Sequence, residues 1–254
     1  MKIHEFDNGV KVYDYHLLAI QRERYKRRNV HEEDEEDVFL SIVKKLPPGA
    51  LYVNVGSAIG YYPLLARRLR ADLRIHCFEP LPRHLRYFRE NIVLNGFAEH
   101  DFTIHKTAVS SATGTARFKD SSYASALSLN VSNKPSKRNL IKNWIGLIFG
   151  KDSASSFLKV ATVRLSEISG LTQSSKIDFL QMDIQGFEEP VLNAYFSTSV
   201  EQRCMVSHFL VGTHGLSIHR KCRSYFENSG FKIQHDEQDT QHQPDGILYA
   251  ALGN

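Results

Sequence analysis

Residues 51–62, Leu51-Tyr52-Val53-Asn54-Val55-Gly56-Ser57-Ala58-Ile59-Gly60-Tyr61-Tyr62, carry a strand-to-helix transition. Leu51 to Val55 has strand composition, and Tyr62, Leu65 and Leu69 then recur at helical spacing. Between them Gly56 and Gly60, four residues apart, let the backbone come close to a ligand and leave helix N–H groups free. Ala58 and Gly60 are out of register for the dinucleotide fingerprint G-x-G-x-x-G, which argues against a pyrophosphate-binding loop.

The same alternation continues downstream. Ile75 to Phe78 reads as a second strand, and Pro82 opens a helix whose Leu85, Phe88 and Ile92 share a face before Asn95-Gly96 ends it. Phe102 to Val109 reads as a third strand, Ile177 to Ile184 as a fourth and Cys204 to Val211 as a fifth. Ser217 caps a predicted helix with Ile218, Cys222 and Phe226 on one face. Phe231 to His235 and Ile247 to Leu252 form a closing pair, joined through Pro244-Asp245-Gly246 and therefore antiparallel. βαβα order predicts an α/β fold with a mainly parallel sheet and helices on both faces.

Composition sets the outer bounds. The 254 residues are 42% hydrophobic and 24% charged with a formal net charge of +4, the profile of a chain that buries a core rather than a disordered or fibrous one. Three widely spaced cysteines, Cys77, Cys204 and Cys222, suit neither a disulfide framework nor a zinc site and favour a reduced, cytoplasmic setting. Met1 to Val10 has no apolar core of a secretory signal, and no run of apolar residues is long enough to span a membrane. No feature sets an oligomeric state.

The charges are segregated. Five basic residues lie between Gln21 and Val30, followed by Glu32, Glu33, Asp34, Glu35, Glu36 and Asp37. Val38, Phe39, Ile42, Val43 and Leu46 then recur at helical spacing, so the acids are read as the solvated first turns of an amphipathic helix, favoured by its dipole, and not as a metal site. Residues 1–49 are thus expected to form a helical extension packed on a core domain at 50–254, which carries an insertion at about 130–158. Within it, residues 130–151 combine Lys134, Lys137, Arg138, Lys142 and Lys151 with the apolar run Trp144 to Phe149, as a packed insertion, a lid, or a contact for a membrane surface or lipid-linked substrate. Arg67, Arg68, Arg70, Arg74, Arg83, Arg86 and Arg89 fall mostly between apolar helix positions and read as a solvated outer face; nucleic acid is not expected as a partner.

Strand ends are where an α/β sheet binds its ligands. The second strand ends at Glu79-Pro80, and Glu79 lies 23 residues after Gly56, near the offset at which a carboxylate accepts hydrogen bonds from ribose hydroxyls. A nucleoside without a pyrophosphate fits this pair of features. Asp183 ends the fourth strand. His214, in Val211-Gly212-Thr213-His214-Gly215, follows the fifth and is either a proton acceptor near neutral pH or a loop histidine bonded to backbone. His208 reads as a sheet-face residue, and His219 as a weaker site residue on the next helix. No metal is expected, because a second acid after the fifth strand is missing from the sequence pattern.

Four separated blocks resemble the FkbM family of S-adenosylmethionine-dependent methyltransferases. They are LYVNVGSAIGYY (51–62), HCFEPLPRHLRYFRENIVLNG (76–96), IHKTAVSSATGTARF (104–118) and IDFLQMDIQGFEEPVL (177–192). The resemblance implies the class I methyltransferase architecture, a Rossmann-like, seven-stranded, mainly parallel sheet with an antiparallel C-terminal strand pair. It also implies S-adenosyl-L-methionine as cofactor, with O-methylation of a small-molecule or glycan acceptor such as a sugar or glycolipid. Carried over by position, Gly56, Ser57 and Gly60 would lie against the methionine part, Glu79 would hold the ribose, Ala108 and Val109 would flank the adenine and Asp183 would border the methyl-transfer centre, with Asn54, Tyr61 and Pro80 also expected to bind the cofactor; Asp183 and His214 are the catalytic residues expected. The family usually has Asp at the position of Asn54, Lys at Gln181 and Glu at Gln185. Three neutral amides thus replace charged groups, and a cofactor-binding but catalytically silent module, or an RNA methyltransferase, stands as the alternative.

Overall fold

The computed structural model describes residues 1–119, 127–128, 157–238 and 245–253. The predicted 130–151 insertion and Pro244 lie outside them. Strands are numbered along the chain: β1 Ile3–Glu5, β2 Lys11–Tyr13, β3 Leu51–Val55, β4 Arg74–Phe78, β5 Thr103–His105, β6 Ala108–Ser110, β7 Gly114–Lys119, β8 Leu127–Ser128, β9 Phe157–Arg164, β10 Lys176–Met182, β11 Met205–Thr213, β12 Phe231–Glu237 and β13 Gly246–Leu252. The α-helices are α1 Ala19–Arg24, α2 Glu33–Val43, α3 Tyr61–Leu69, α4 Pro82–Leu94, α5 Ser169–Thr172, α6 Glu188–Phe196 and α7 Leu216–Asn228.

The main sheet has seven strands in the order β12-β13-β11-β10-β3-β4-β5. Pairing is parallel from β11 through β5 and antiparallel on both sides of β13, which is the class I methyltransferase topology with its reversed C-terminal strand. All five residues of β3 are buried, as a central parallel strand covered on both faces requires. On one face Tyr52 stacks on Phe179 of β10 at 5.0 Å and packs under Phe39 of α2. On the other, Leu51, Val53 and Val55 join Leu180 and Met182 in the core beneath Val191 and Leu192 of α6. Strand order reverses at β3, between β10 and β4, so the carboxyl ends of β3 and β10 border the crevice in which such sheets bind ligands. Cys77, Cys204 and Cys222 are all buried, unpaired core residues.

Four sequence expectations change. The predicted third strand is two: β5 pairs with β4, while β6 leaves the main sheet and pairs with β9 in a second sheet of order β6-β9-β7-β8. The N-terminal segment is not helical throughout, since β1 and β2 form an antiparallel hairpin ahead of α1 and α2. The acidic run is not a solvated face. Glu32, Glu35 and Glu36 are buried, at 7%, 1% and 2% exposure, because they fall on the same side of α2 as Phe39 and Val43. The Tyr61 hydroxyl donates to Glu36 Oε2 and accepts from Asn8 Nδ2 at 2.7 Å, tying this segment to the start of α3. The final helix begins at Leu216 after Gly215, one residue ahead of the expected Ser217 cap.

Candidate active site

A cleft of about 270 Å³ opens at the carboxyl ends of β3, β4 and β10, with a smaller chamber of about 60 Å³ behind the glycine loop. Gly56, Ala58, Asp183 and, from the N-terminal segment, Gln21, His31 and Glu32 border both. The main cleft also takes Glu79, Pro80, Ala108, Val109 and His214, so most residues singled out in the sequence converge on it. Asn54, Ser57 and Tyr61 line the smaller chamber. Gly60 lines neither. Its φ of +86° and the Phe88 ring, 2.0 Å from where a Cβ would sit, make it a packing position. Gly56, also at φ +86°, lies against the neighbouring strand, with the Asp183 carbonyl oxygen 2.0 Å from a would-be Cβ.

Glu79 is locked by backbone. Its Oε2 accepts from Ala58 N–H at 2.9 Å and its Oε1 from Leu81 N–H at 2.8 Å, which ties the second strand end to the glycine loop and holds Ala58 at φ +44°. Oε1 also lies 3.4 Å from His84 Nδ1, while Oε2 keeps a second lone pair for a ligand. The turn after β10 is equally constrained: Gln185 sits at φ +56° and Gly186 at φ +95°, and Glu188 Oε1 accepts from both Ile184 and Gly186 N–H, at 3.0 and 3.1 Å. Gln185 Nε2 donates to Asp183 Oδ1 at 3.0 Å.

His214 is neither free nor backbone-bonded. Nδ1 lies 3.0 Å from Glu188 Oε1, and Nε2 lies 3.1 Å from Asp245 Oδ1 and 3.5 Å from Asp183 Oδ1. Burial by itself would lower its pKa, but the surrounding Glu188, Asp183 and Asp245 carboxylates outweigh that and raise it to about 10. Burial, aided by neighbouring acids, raises Asp183 to about 8 and pushes Asp245 up as well. Glu35, enclosed completely, is held well above the usual carboxylate range. His219 is fully buried between Thr213 Oγ1 and Asp236 Oδ1, both at 2.7 Å, and does not reach the cleft. His208 pairs with the Tyr249 hydroxyl on the sheet face.

The expectation that no further acid stands near the fifth strand does not hold. Gly246 pairs with Thr213 in antiparallel register, so Asp245 at the start of β13 comes beside the end of β11. Two sets, Asp183–Glu188–His214 and Glu32–Asp183–Asp245, each bring donor atoms within 4.8 Å of one another and could hold a cation. The charged imidazole of His214 already supplies positive charge at this point. Sequence reasoning also missed Phe118, which the second sheet brings to the cleft.

The profile of the methyltransferase FkbM domain matches residues 54–233. The chain belongs to the FkbM methyltransferase family. An FkbM protein uses S-adenosylmethionine, and the site fits that cofactor: a fixed carboxylate at a strand end, an apolar wall of Ala108, Val109 and Phe118, and a small polar chamber containing the buried, unpartnered Oδ1 of Asn54. Solved structures of similar fold include a precorrin-6y C5,15-methyltransferase from Geobacter metallireducens, at 13% identity over 88% of this chain and 90% of that one, TM-score 0.49. The fibrillarin pre-rRNA processing protein of Methanococcus jannaschii shares 8% identity over 82% and 70%, TM-score 0.47. An rRNA methylase from Streptococcus thermophilus shares 7% over 86% and 95%, TM-score 0.48. No curated protein matches the chain. Among the described residues of this FkbM protein, no helix is long and apolar enough to cross a membrane.

Proposed function

We propose that this FkbM protein transfers the methyl group of S-adenosylmethionine to a hydroxyl of a carbohydrate, glycolipid or related small molecule. The observation that carries this reading is Asp183, a carboxylate on the cleft whose pKa burial raises to about 8, close to the operating pH of a proton acceptor. Among the described residues that line the cleft there is no lysine or arginine, whereas Glu32, Glu79, Asp183 and Asp245 all do, so the reacting end of the acceptor is neutral rather than anionic. That also weighs against RNA, whose phosphates bring negative charge.

S-adenosylmethionine supplies the methyl group as an electrophilic sulfonium. Glu79 accepts the ribose hydroxyls, Ala108, Val109 and Pro80 flank the nucleoside, and Gly56, Ser57, Asn54 and Tyr61 enclose the methionine end. Asp183 takes the proton from the acceptor hydroxyl. His214, held charged by Glu188, orients Asp183, and positioning with exclusion of water supplies much of the rate. The rival reading, a silent module, draws on the Gln185 amide that occupies one oxygen of Asp183. Methyl-labelled S-adenosylmethionine offered with a panel of sugars and glycolipids should yield an O-methyl carbon signal in the product. Binding without turnover on any hydroxyl acceptor supports the silent module instead, and label found only on RNA or amines overturns the hydroxyl assignment.

A further inference from the structure

The family profile begins at residue 54, yet the smaller chamber is closed by residues that precede it: Gln21, His31 and Glu32. On its core side stands Asn54, 4% exposed, whose amide orientation is set by its neighbours. Gln181 donates Nε2 to Glu35 Oε1 at 2.6 Å and accepts the Tyr52 hydroxyl at Oε1, and Asn54 Nδ2 donates to the same Gln181 oxygen at 3.2 Å. Asn54 Oδ1 is left buried with no donor. A buried acceptor without a donor is destabilising, and a ligand N–H removes that cost.

The charge in the chamber is negative. Its acidic side chains are Glu32 and Asp183, of which Asp183 holds its proton up to about pH 8, and burial lowers His31 to about 4 so that it brings no positive charge. Glu32 is 7% exposed; its Oε2 accepts the Tyr62 hydroxyl at 3.3 Å and its Oε1 lies 3.9 Å from Arg24 Nη2, which leaves lone pairs on both oxygens for a closer donor. A carboxylate and an unpartnered amide oxygen on residues that line one space of about 60 Å³ suit a compact cation with several N–H donors.

We propose that Glu32, with Asn54 Oδ1, receives the α-ammonium of S-adenosylmethionine, so that the N-terminal segment is a working part of the cofactor site. The proposal rests on the cofactor assignment above. It relocates a negative charge: the strand-end position 54 is a neutral amide, and the carboxylate arrives instead from the residue that precedes α2.

The test is titration calorimetry on the full chain with two probes, S-adenosylhomocysteine and its deaminated analogue, which keeps the carboxylate but lacks the α-ammonium. Glu32→Gln, close in shape to the native side chain, should weaken S-adenosylhomocysteine by about 10-fold or more, the loss of one charge-assisted hydrogen bond, and leave the analogue within about two-fold. Unchanged S-adenosylhomocysteine affinity in Glu32→Gln overturns the proposal, and so does an equal loss for both probes, which would mean Glu32 only supports the fold. Glu79→Ala should weaken both probes together. Failure of the unmodified protein to bind either probe would instead bring down the cofactor assignment, and this proposal with it.

Discussion

His214 Nδ1 lies 3.0 Å from Glu188 Oε1, an oxygen that already accepts the backbone N–H groups of Ile184 and Gly186. An oxygen fixed as an acceptor by two amides requires a donor at Nδ1, and Nε2 faces the Asp245 and Asp183 carboxylates. Both ring nitrogens therefore carry protons at neutral pH, in line with a pKa raised to about 10. An imidazolium has no lone pair to accept a proton. In the proposed reaction the role of base therefore falls to Asp183, with His214 as its positioning residue.

The pH dependence of kcat/KM separates the two. A base that works deprotonated gives a rate that rises with pH through its pKa, so the unmodified enzyme should show a limb near pH 8, where burial places Asp183. Asp183→Asn should lose that limb and about 100-fold or more in rate. His214→Gln should slow the reaction and shift the limb upward, since a positive neighbour that favoured the Asp183 carboxylate is gone. A limb near pH 6.5 that vanishes in His214→Gln would return the histidine to the role of base.

Stability should fall as pH rises. Glu35, Asp183 and His214 all hold their protons more tightly in the folded chain than in the unfolded one. Each contributes stability that is full below its unfolded pKa and is lost as pH rises through its folded value. For Asp183 the window runs from about 4 to about 8, and for His214 from about 6.5 to about 10. Asp72, pulled down chiefly by Arg70, acts below this range. His16, His31, His76, His105 and His208, all lowered by burial, act in the opposite sense below about pH 6.5, so the comparison starts above them: thermal unfolding of the ligand-free protein should show Tm lower by about 5 °C or more at pH 9 than at pH 7. Glu35→Gln, which keeps an acceptor for Gln181 Nε2, should reduce that fall; a flat or rising Tm in the unmodified protein would contradict the burial of these acids.

The elements that sequence made legible are the local ones. The glycine loop, Glu79 and Asp183 each lie within a few residues of a strand end, and short-range periodicity suffices to find strand ends. Glu188 and Asp245 lie elsewhere in the pattern: one opens α6 and the other precedes β13, and only antiparallel pairing of β13 with β11 brings Asp245 to His214. The second sheet was hidden for the same reason, since Ala108 pairs with Thr162 across more than fifty residues. Glu32 and Glu35 were legible and misread. They share the spacing of Phe39 and Val43, so the face that buries those two buries the acids too, while a high local charge pointed to solvent.

Glu79 has two duties that a substitution can separate. Its oxygens hold Ala58 and Leu81 N–H as well as facing the cleft, so Glu79→Ala should both lower Tm and weaken 5′-deoxy-5′-methylthioadenosine, a probe with the ribose and without the amino-acid end, by about 1.5–3 kcal/mol. Glu79→Gln retains one acceptor and should recover part of the stability but little of the affinity. Calorimetry beside thermal scans reads both, and unchanged probe affinity in Glu79→Ala would remove the ribose contact.

The two loop glycines should respond differently to alanine. At both, a φ of +86° strains an L-residue, but the obstacles differ: Gly60 faces the Phe88 side chain, and Gly56 faces the Asp183 backbone carbonyl. A side chain can be trimmed, so Phe88→Leu should offset part of the loss caused by Gly60→Ala. The double variant is then expected to be more stable than the sum of the two single losses predicts, by about 0.5 kcal/mol or more. No side-chain change relieves a clash with a main-chain carbonyl. Gly56→Ala should therefore push β3 from β10, weaken cofactor binding and resist suppression, as denaturant unfolding and calorimetry on the same set of variants would read. Additive losses for the Gly60–Phe88 pair would show that backbone strain alone, and not the ring, demands glycine at position 60.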